Sequence, residues 1–173
     1  MISSNQISLV ISTYNHVRPL ELCLAGFRNQ TTAPMEILIA DDGSASPTRD
    51  LIVRLAPTLP CPVHHLWHED RGFRKNAILN QSLAAAKGTY LVFTDADCIP
   101  HPRFIEDHAS LAEQGFWVQG RRSYLNAAAC LYNLWAPSLD RGGSRAKGEG
   151  GRPVGRDGMD GARTCAGAGA SAF

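Results

Sequence analysis

Asp95 and Asp97 stand two residues apart in the run Thr94-Asp95-Ala96-Asp97, directly after an apolar stretch. In an extended segment alternate residues project to the same side, so both carboxylates can face one bound ion. Two anions held that close repel. A hard divalent cation such as Mg2+ or Mn2+ relieves the repulsion, keeps several waters and takes its remaining ligands from substrate phosphates. A single aspartate after a strand usually caps the next turn, so it is the pairing that points to a metal. Asp41-Asp42-Gly43-Ser44 is a second acidic run. Its Asp-Gly step is a strong turn former, and a carboxylate there also accepts hydrogen bonds from a nucleoside, through base N–H or ribose hydroxyls.

Arg71, Arg74 and Lys75 gather basic charge where a helical pattern begins. Free backbone N–H groups and the macrodipole favour an anion such as a phosphate there, while a solvated basic cluster is the plainer alternative. His64, His65 and His68 look like a metal cluster, but on a strand His64 and His65 point to opposite faces and do not share an ion. No Gly-x-Gly-x-x-Gly follows the first apolar segment, and neither a Walker-type loop nor Gly-x-Ser-x-Gly occurs. The commonest dinucleotide, NTPase and hydrolase readings are thereby removed.

These residues need elements to bring them together. Residues 7–12 (ISLVIS) predict a buried strand, and residues 19–30 a helix with Leu20, Leu22, Leu24 and Phe27 on its apolar face. Residues 36–40 (EILIA) predict a second strand, after which Ser46 and Pro47 supply an N-cap and a first-turn proline for a helix through Leu55. Residues 62–67 (PVHHLW) predict a weaker third strand. Residues 75–87 carry Ile78, Leu79, Leu83 and Ala86 at helical spacing, with Gly88 just past the end. Residues 89–94 (TYLVFT) predict a fourth strand, 102–114 another helix and 116–119 a fifth strand.

Strands alternating with helices of roughly ten or more residues imply βαβ units. The expected class is α/β, with a mostly parallel sheet covered by helices on both faces. Ligands of such sheets sit at the carboxyl ends of the strands. Those ends carry Ser12-Thr13-Tyr14-Asn15, then Asp41-Asp42-Gly43-Ser44, then residues 68–74 (HEDRGFR), then Asp95-Ala96-Asp97; the opposite edge receives plain loop residues such as Thr31, Thr32 and Ala33.

The 173 residues suit one domain, or one domain and a tail, at roughly 150 residues per domain. A hydrophobic share of 44% supports a core. The net charge of +1 and the sequence pI near 7.7 lack the basic excess of a nucleic-acid binder. No apolar run reaches the ~18 residues of a membrane span, and the N-terminus has no signal-peptide pattern. Five scattered cysteines without a Cys-x-x-Cys pair argue against a disulfide framework and a structural zinc site, so a cytoplasmic location is expected.

Composition shifts near Pro137. Residues 141–173 are mostly Gly, Ala, Arg and Ser, with six basic and three acidic side chains, leaving eleven and thirteen in the body. We expect a domain over residues 1–135 and a disordered Gly/Ala/Arg-rich tail over 136–173, since such a segment cannot bury enough apolar surface to offset its ordering entropy. The tail has no aromatic residue before Phe173 to stack a base. A reading frame lost near Ala136 gives the same shift.

With these residues placed, the chain resembles the family 2 glycosyltransferases, which adopt the GT-A, Rossmann-like nucleotide-sugar-binding fold. The matching pieces occur in order: Val10-Ile11-Ser12-Thr13-Tyr14-Asn15, Ile39-Ala40-Asp41-Asp42-Gly43-Ser44, residues 72–80 (GFRKNAILN) and Phe93-Thr94-Asp95-Ala96-Asp97. Gly72-Phe73-Arg74 followed by Ala77 and Asn80 is most similar to the branch of chondroitin-polymerase-type enzymes. The resemblance implies an inverting transferase of cell-envelope polysaccharide biosynthesis, using a nucleotide-activated sugar, typically a UDP-sugar, and a glycan or lipid-linked acceptor. It implies that Thr13, Tyr14 and Asp42, with Asn15 beside them, line the nucleoside pocket and that Arg71 or Arg74 approaches the base or diphosphate. It also implies that Asp95 contacts ribose or sugar and that Asp97, with Asp95, holds Mn2+ or Mg2+ in the Asp-x-Asp motif.

Two departures are small: Ser12 stands where the family often has Pro, and Leu79 where an Arg often precedes the Asn. A larger one is C-terminal, where the family continues into an acceptor pocket and an acidic general base. After Asp140 the only acidic residues are Glu149, Asp157 and Asp160, and none is assigned that role. The expected domain is therefore a truncated, donor-binding half, with a non-catalytic nucleotide-sugar binder as the alternative.

Overall fold

A computed structural model of the chain describes residues 2–124. The expected tail over 136–173, and the last part of the expected domain, lie outside the described residues. Four strands, β1 (Ile7–Thr13), β2 (Glu36–Asp41), β3 (Val63–Trp67) and β4 (Tyr90–Asp95), form one sheet in the order β3-β2-β1-β4, every pair parallel. Between and after them run α1 (Val17–Arg28), α2 (Ser46–Leu55), α3 (Lys75–Ala85) and α4 (Phe104–Leu111). The α/β expectation, with helices on both faces, is met.

β1 and β2 are buried along their whole length, as strands covered on both faces must be. Their alternation divides the core. Ile7, Leu9, Ile11, Ile37 and Ile39 pack with Leu20, Leu24 and Phe27 of α1, Leu51 and Ile52 of α2, and Phe104 and Ile105 of α4. Val10, Leu38 and Ala40 point the other way, onto Ile78 of α3. Full burial of one such aliphatic side chain is worth about 1.5–3 kcal/mol, so these two layers hold the sheet between its helices. An edge-to-face contact of Phe27 with Phe104, centroids 5.9 Å apart, ties α1 to α4. Edge strand β3 is only half-buried, in keeping with its weaker pattern.

Local differences from expectation have local causes. In α1 the buried stripe is Leu20, Cys23, Leu24 and Phe27, the i, i+3, i+4, i+7 set, and Leu22 falls just off it. In α3 Leu83 is exposed and Ser82 takes the inner position, its hydroxyl donating to the Ile78 carbonyl at 2.9 Å. Ala45, not Ser46, is the N-cap of α2; Ser46 is already helical. Gly88 does not cap α3, whose C-cap is Ala86. A Cβ on Gly88 would sit 2.6 Å from the Gln6 oxygen and the Ser8 nitrogen, so glycine is required there for the chain to pass close to β1. The expected strand over 116–119 is absent: no regular strand follows α4 among the described residues, and Phe116 and Trp117 are exposed. That run has β-propensity but is not buried, and propensity expresses itself on a packed surface.

Candidate functional site

Parallel pairing places the carboxyl ends of β1, β2 and β4 side by side. Ser12 is in register with Asp95 on one side and Ala40 on the other, and Thr13 is in register with Asp41. A cleft of about 230 Å³ opens at these ends, lined by Ser12, Thr13, Tyr14, His16, Asp42, Phe73, Lys75, Asp95, Ala96 and Asp97. A larger cavity of about 320 Å³ lies between α4 and residues 116–120, with no strand residue in its lining. The smaller cleft is the one that carries the polar and charged groups, because an open parallel sheet gathers its functional groups where its strands stop.

Asp95 is the last residue of β4, and Asp97 lies in the turn that follows. The two are thus not alternate residues of one extended segment as the sequence suggested. The turn, closed by the Cys98 amide donating to the Asp95 carbonyl at 3.1 Å, still leaves both on the cleft. One Asp95 oxygen accepts from the Ser12 hydroxyl at 2.5 Å and from the Lys75 ammonium at 2.6 Å, and the other is paired with Arg122. Burial works to raise the Asp95 carboxyl; the hydrogen bonds from Lys75 and Ser12, the Lys75 charge and the bond from Arg122 outweigh it and hold the group below its ordinary range. Asp97 is exposed, with the Cys98 thiol 3.5 Å from one oxygen.

Asp42 is buried at the cleft wall, where one oxygen meets His68 Nε2 at 2.7 Å and the other accepts from the Arg74 amide at 3.0 Å. Its neighbour Asp41 points away from the cleft lining and is structural: it accepts from the Ser44 amide and meets His65 Nε2, both at 2.8 Å. Tyr14 is 47% exposed, and its hydroxyl donates to Asp70 at 2.9 Å. That bond and the Asp70 charge raise the phenol above its usual value. Thr13 Oγ1 is buried without a hydrogen-bond partner among the described residues. An orphaned hydroxyl beside a cleft is a place for a ligand's polar group.

The histidines join three different carboxylates: His64 lies 3.4 Å from Glu36, His65 meets Asp41 and His68 meets Asp42.

Not every expected site residue reaches the cleft. Asn15 takes a left-handed backbone (φ 52°), accepts from the Ala45 amide through Oδ1 at 2.9 Å, and through its own amide donates to Ser44 at 2.8 Å. It locks the end of β1 to the start of α2 and is not a lining residue. Arg71 is exposed and doubly bonded to Glu69, at 2.9 and 2.7 Å. The Arg74 guanidinium donates to the Glu69 carbonyl at 2.5 Å, so only the backbone of Arg74 faces Asp42. The cations that do reach the carboxylate are Lys75, opening α3, and Arg122. Lys75 was legible as a basic residue at a helix start, but nothing local signals Arg122.

Among the described residues no group of three or more His, Cys, Asp or Glu side chains converges as a metal cage. The donors offered are Asp95 and Asp97, two hard carboxylates on one cleft. That set fits a cation of the Mg2+ or Mn2+ type completed by waters and phosphate oxygens, and does not suit a thiophilic metal.

The fold and the cleft define a doubly wound α/β domain with a carboxylate-lined cleft at its strand ends. Residues 8–128 match glycosyl transferase family 2, and the chain belongs to that family. It is 29% identical over 129 residues to the chondroitin synthase of Escherichia coli, covering 73% of this chain and 18% of that protein. To an uncharacterized glycosyltransferase of Nostoc it is 33% identical over 101 residues, covering 58% of this chain and 31% of the relative. The chain thus spans less than a third of the length of either relative. Among solved structures it is similar to S. aureus TarS in complex with UDP-GlcNAc, with a TM-score of 0.50, 22% identity and coverage of 61% of this chain and 30% of that one. A mannosyltransferase from Pyrobaculum calidifontis in complex with GDP-Man and Mn2+ superposes with a TM-score of 0.51 and 24% identity, over 77% and 39% of the two chains. These superpositions support the GT-A fold. No helix among the described residues is long and apolar enough to cross a membrane.

Proposed function

We propose that this cleft binds a nucleotide-diphosphate sugar, a UDP-sugar by preference, and that the chain supplies the donor half of an inverting, divalent-metal-dependent glycosyltransferase. One observation carries the reading: Asp95 and Asp97 share a single cleft with Thr13, Tyr14 and Asp42 at the carboxyl ends of three adjacent strands. Tyr14 offers a ring, Asp42 a buried carboxylate and Thr13 an unused hydroxyl to a nucleoside. Asp97 and Asp95 hold Mn2+ or Mg2+, which when bound supplies charge neutralisation of the diphosphate leaving group. Lys75, rather than Arg71 or Arg74, is the helix-start cation that lines the cleft, and in this reading it meets the phosphates. The acceptor is a glycan or lipid-linked sugar, the setting cell-envelope polysaccharide synthesis, and the location cytoplasmic.

UDP with Mn2+ should raise the melting temperature of the full chain more than either alone, and Asp97→Ala should abolish the increase. Sugar transfer, or slow hydrolysis of a UDP-sugar, separates the enzyme from a non-catalytic binder of the same donor. If UDP and Mn2+ leave the melting curve unmoved at millimolar concentration, the proposal fails.

A further inference from the structure

Asp95 is the only cleft carboxylate met by two cations among the described residues, Lys75 at 2.6 Å on one oxygen and Arg122 on the other. Asp42, the third acid of the cleft, has His68 and a backbone amide instead. The side chains of Lys75, Arg122 and Asp95 are 35%, 33% and 26% exposed, so the pairs sit partly out of water, where charge imbalance costs more than at an open surface. Asp95 and Asp97 contribute two negative charges, Lys75 and Arg122 two positive ones. The formal charges of these four side chains therefore cancel, and Asp42 is answered separately by His68 and the Arg74 amide.

Adding a divalent ion alone leaves a surplus of two positive charges and pushes it against Lys75 and Arg122. Adding a diphosphate diester alone, with one negative charge on each phosphate, leaves a surplus of two negative charges. Adding both restores neutrality for a diester, and leaves at most about one surplus negative charge for free UDP, with the ion taking Asp95 and Asp97 while the two freed side chains turn to phosphate oxygens. We propose that Lys75 and Arg122 are internal counter-ions that keep the cation site closed until the diphosphate arrives, so that metal and nucleotide load only together. In this scheme, which rests on the donor-site reading above, Lys75 and Arg122 hold Asp95 before loading and the diphosphate after it.

The test is titration of the full chain with Mn2+ alone, UDP alone and each in the presence of the other, reading free Mn2+ by electron paramagnetic resonance and UDP by calorimetry. In the wild type, saturating UDP should tighten Mn2+ by at least about tenfold, and Mn2+ should tighten UDP by the same factor, since coupling is reciprocal. In the double variant Lys75→Met, Arg122→Gln, Mn2+ alone should bind about tenfold tighter than in the wild type and UDP alone correspondingly weaker. Each single variant should give about threefold if the two contributions add, which keeps the test intact should the double variant not fold. Lys75→Arg, which keeps the charge, should not tighten Mn2+ alone as Lys75→Met does. The inference is overturned, with the donor site left standing, if UDP and Mn2+ bind the wild type while the variants bind Mn2+ alone no more tightly than it does. Absence of any UDP binding in the presence of Mn2+ overturns the donor-site reading and the inference with it.

Discussion

Ser12 and Asp95 face each other in register across the β1–β4 pair, and the Ser12 hydroxyl donates to the Asp95 carboxylate at 2.5 Å. The small hydroxyl at the end of the central strand thereby aims the carboxylate at the end of its neighbour. Ser12→Ala should cost about 1.5–3 kcal/mol of stability, the range for a hydrogen bond to a charged group, and should weaken Mn2+–UDP binding because Asp95 loses its anchor. Urea unfolding and calorimetry on the same variant measure both. A variant with native stability and native affinity removes Ser12 from the site.

Asp97 is exposed, with only the Cys98 thiol, 3.5 Å away, near its carboxylate as a hydrogen-bond partner among the described residues, so Asp97→Ala should leave unliganded stability within about 0.5 kcal/mol of wild type. Loss of ligand-induced stabilisation without loss of fold is the expected signature. Paired thermal melts, with and without UDP and Mn2+, check it.

Two glycines with similar backbones should differ sharply on substitution. Gly43 has φ 94° and a Cβ there would lie 2.7 Å from Asp70 Cα, whereas Gly72 has φ 85° and open space around it. Gly72→Ala should cost about 1–2 kcal/mol, the left-handed penalty alone. Gly43→Ala should cost clearly more and should also displace Asp70, the partner of Tyr14. Denaturant midpoints of the two variants decide the order.

His108 is buried against Phe104, ring centroids 4.7 Å apart, and burial pushes its imidazole down to about 4, against a smaller opposing pull from Asp107. Unfolded, the same group titrates near its ordinary value of about 6.5. Between those values the unfolded chain binds the extra proton, so this contribution is fully present above about 6.5 and is lost as pH falls toward 4. The full span is worth up to about 3 kcal/mol. Urea midpoints of wild type and His108→Phe, followed from pH 7.5 to 4.5, should converge on a shallower pH slope for the variant. Parallel slopes would show that His108 is not the group responsible.

Most of the architecture was legible in the amino-acid order. Apolar runs such as ISLVIS and EILIA report strands buried on both faces, the helical stripe of α1 reports a single buried side, and alternation of the two leaves a parallel sheet as the only economical arrangement. Knowing that the sheet is parallel was enough to send Thr13, Tyr14, Asp42, Asp95 and Asp97 to one edge, because every strand then ends on the same side. Residues 116–119 misled for the complementary reason: propensity was present, but burial is decided by what else packs there.

Periodicity records which side chains leave water; it does not record which partner each polar side chain meets. Arg71 and Arg74 stood as near the strand end as Lys75, yet Glu69 holds both of them, and the backbone at Arg74 (φ −132°) together with the first turn of α3 leaves Lys75 to reach Asp95. Arg122 arrives from 27 residues beyond Asp95, along a stretch that after α4 has no regular helix or strand to forecast its path. Sequence alone determined the sheet, its edge and the acids on that edge, because these follow from local burial and strand direction. Tertiary structure alone decided which cations answer those acids, because an ion pair depends on where two distant backbones bring their side chains.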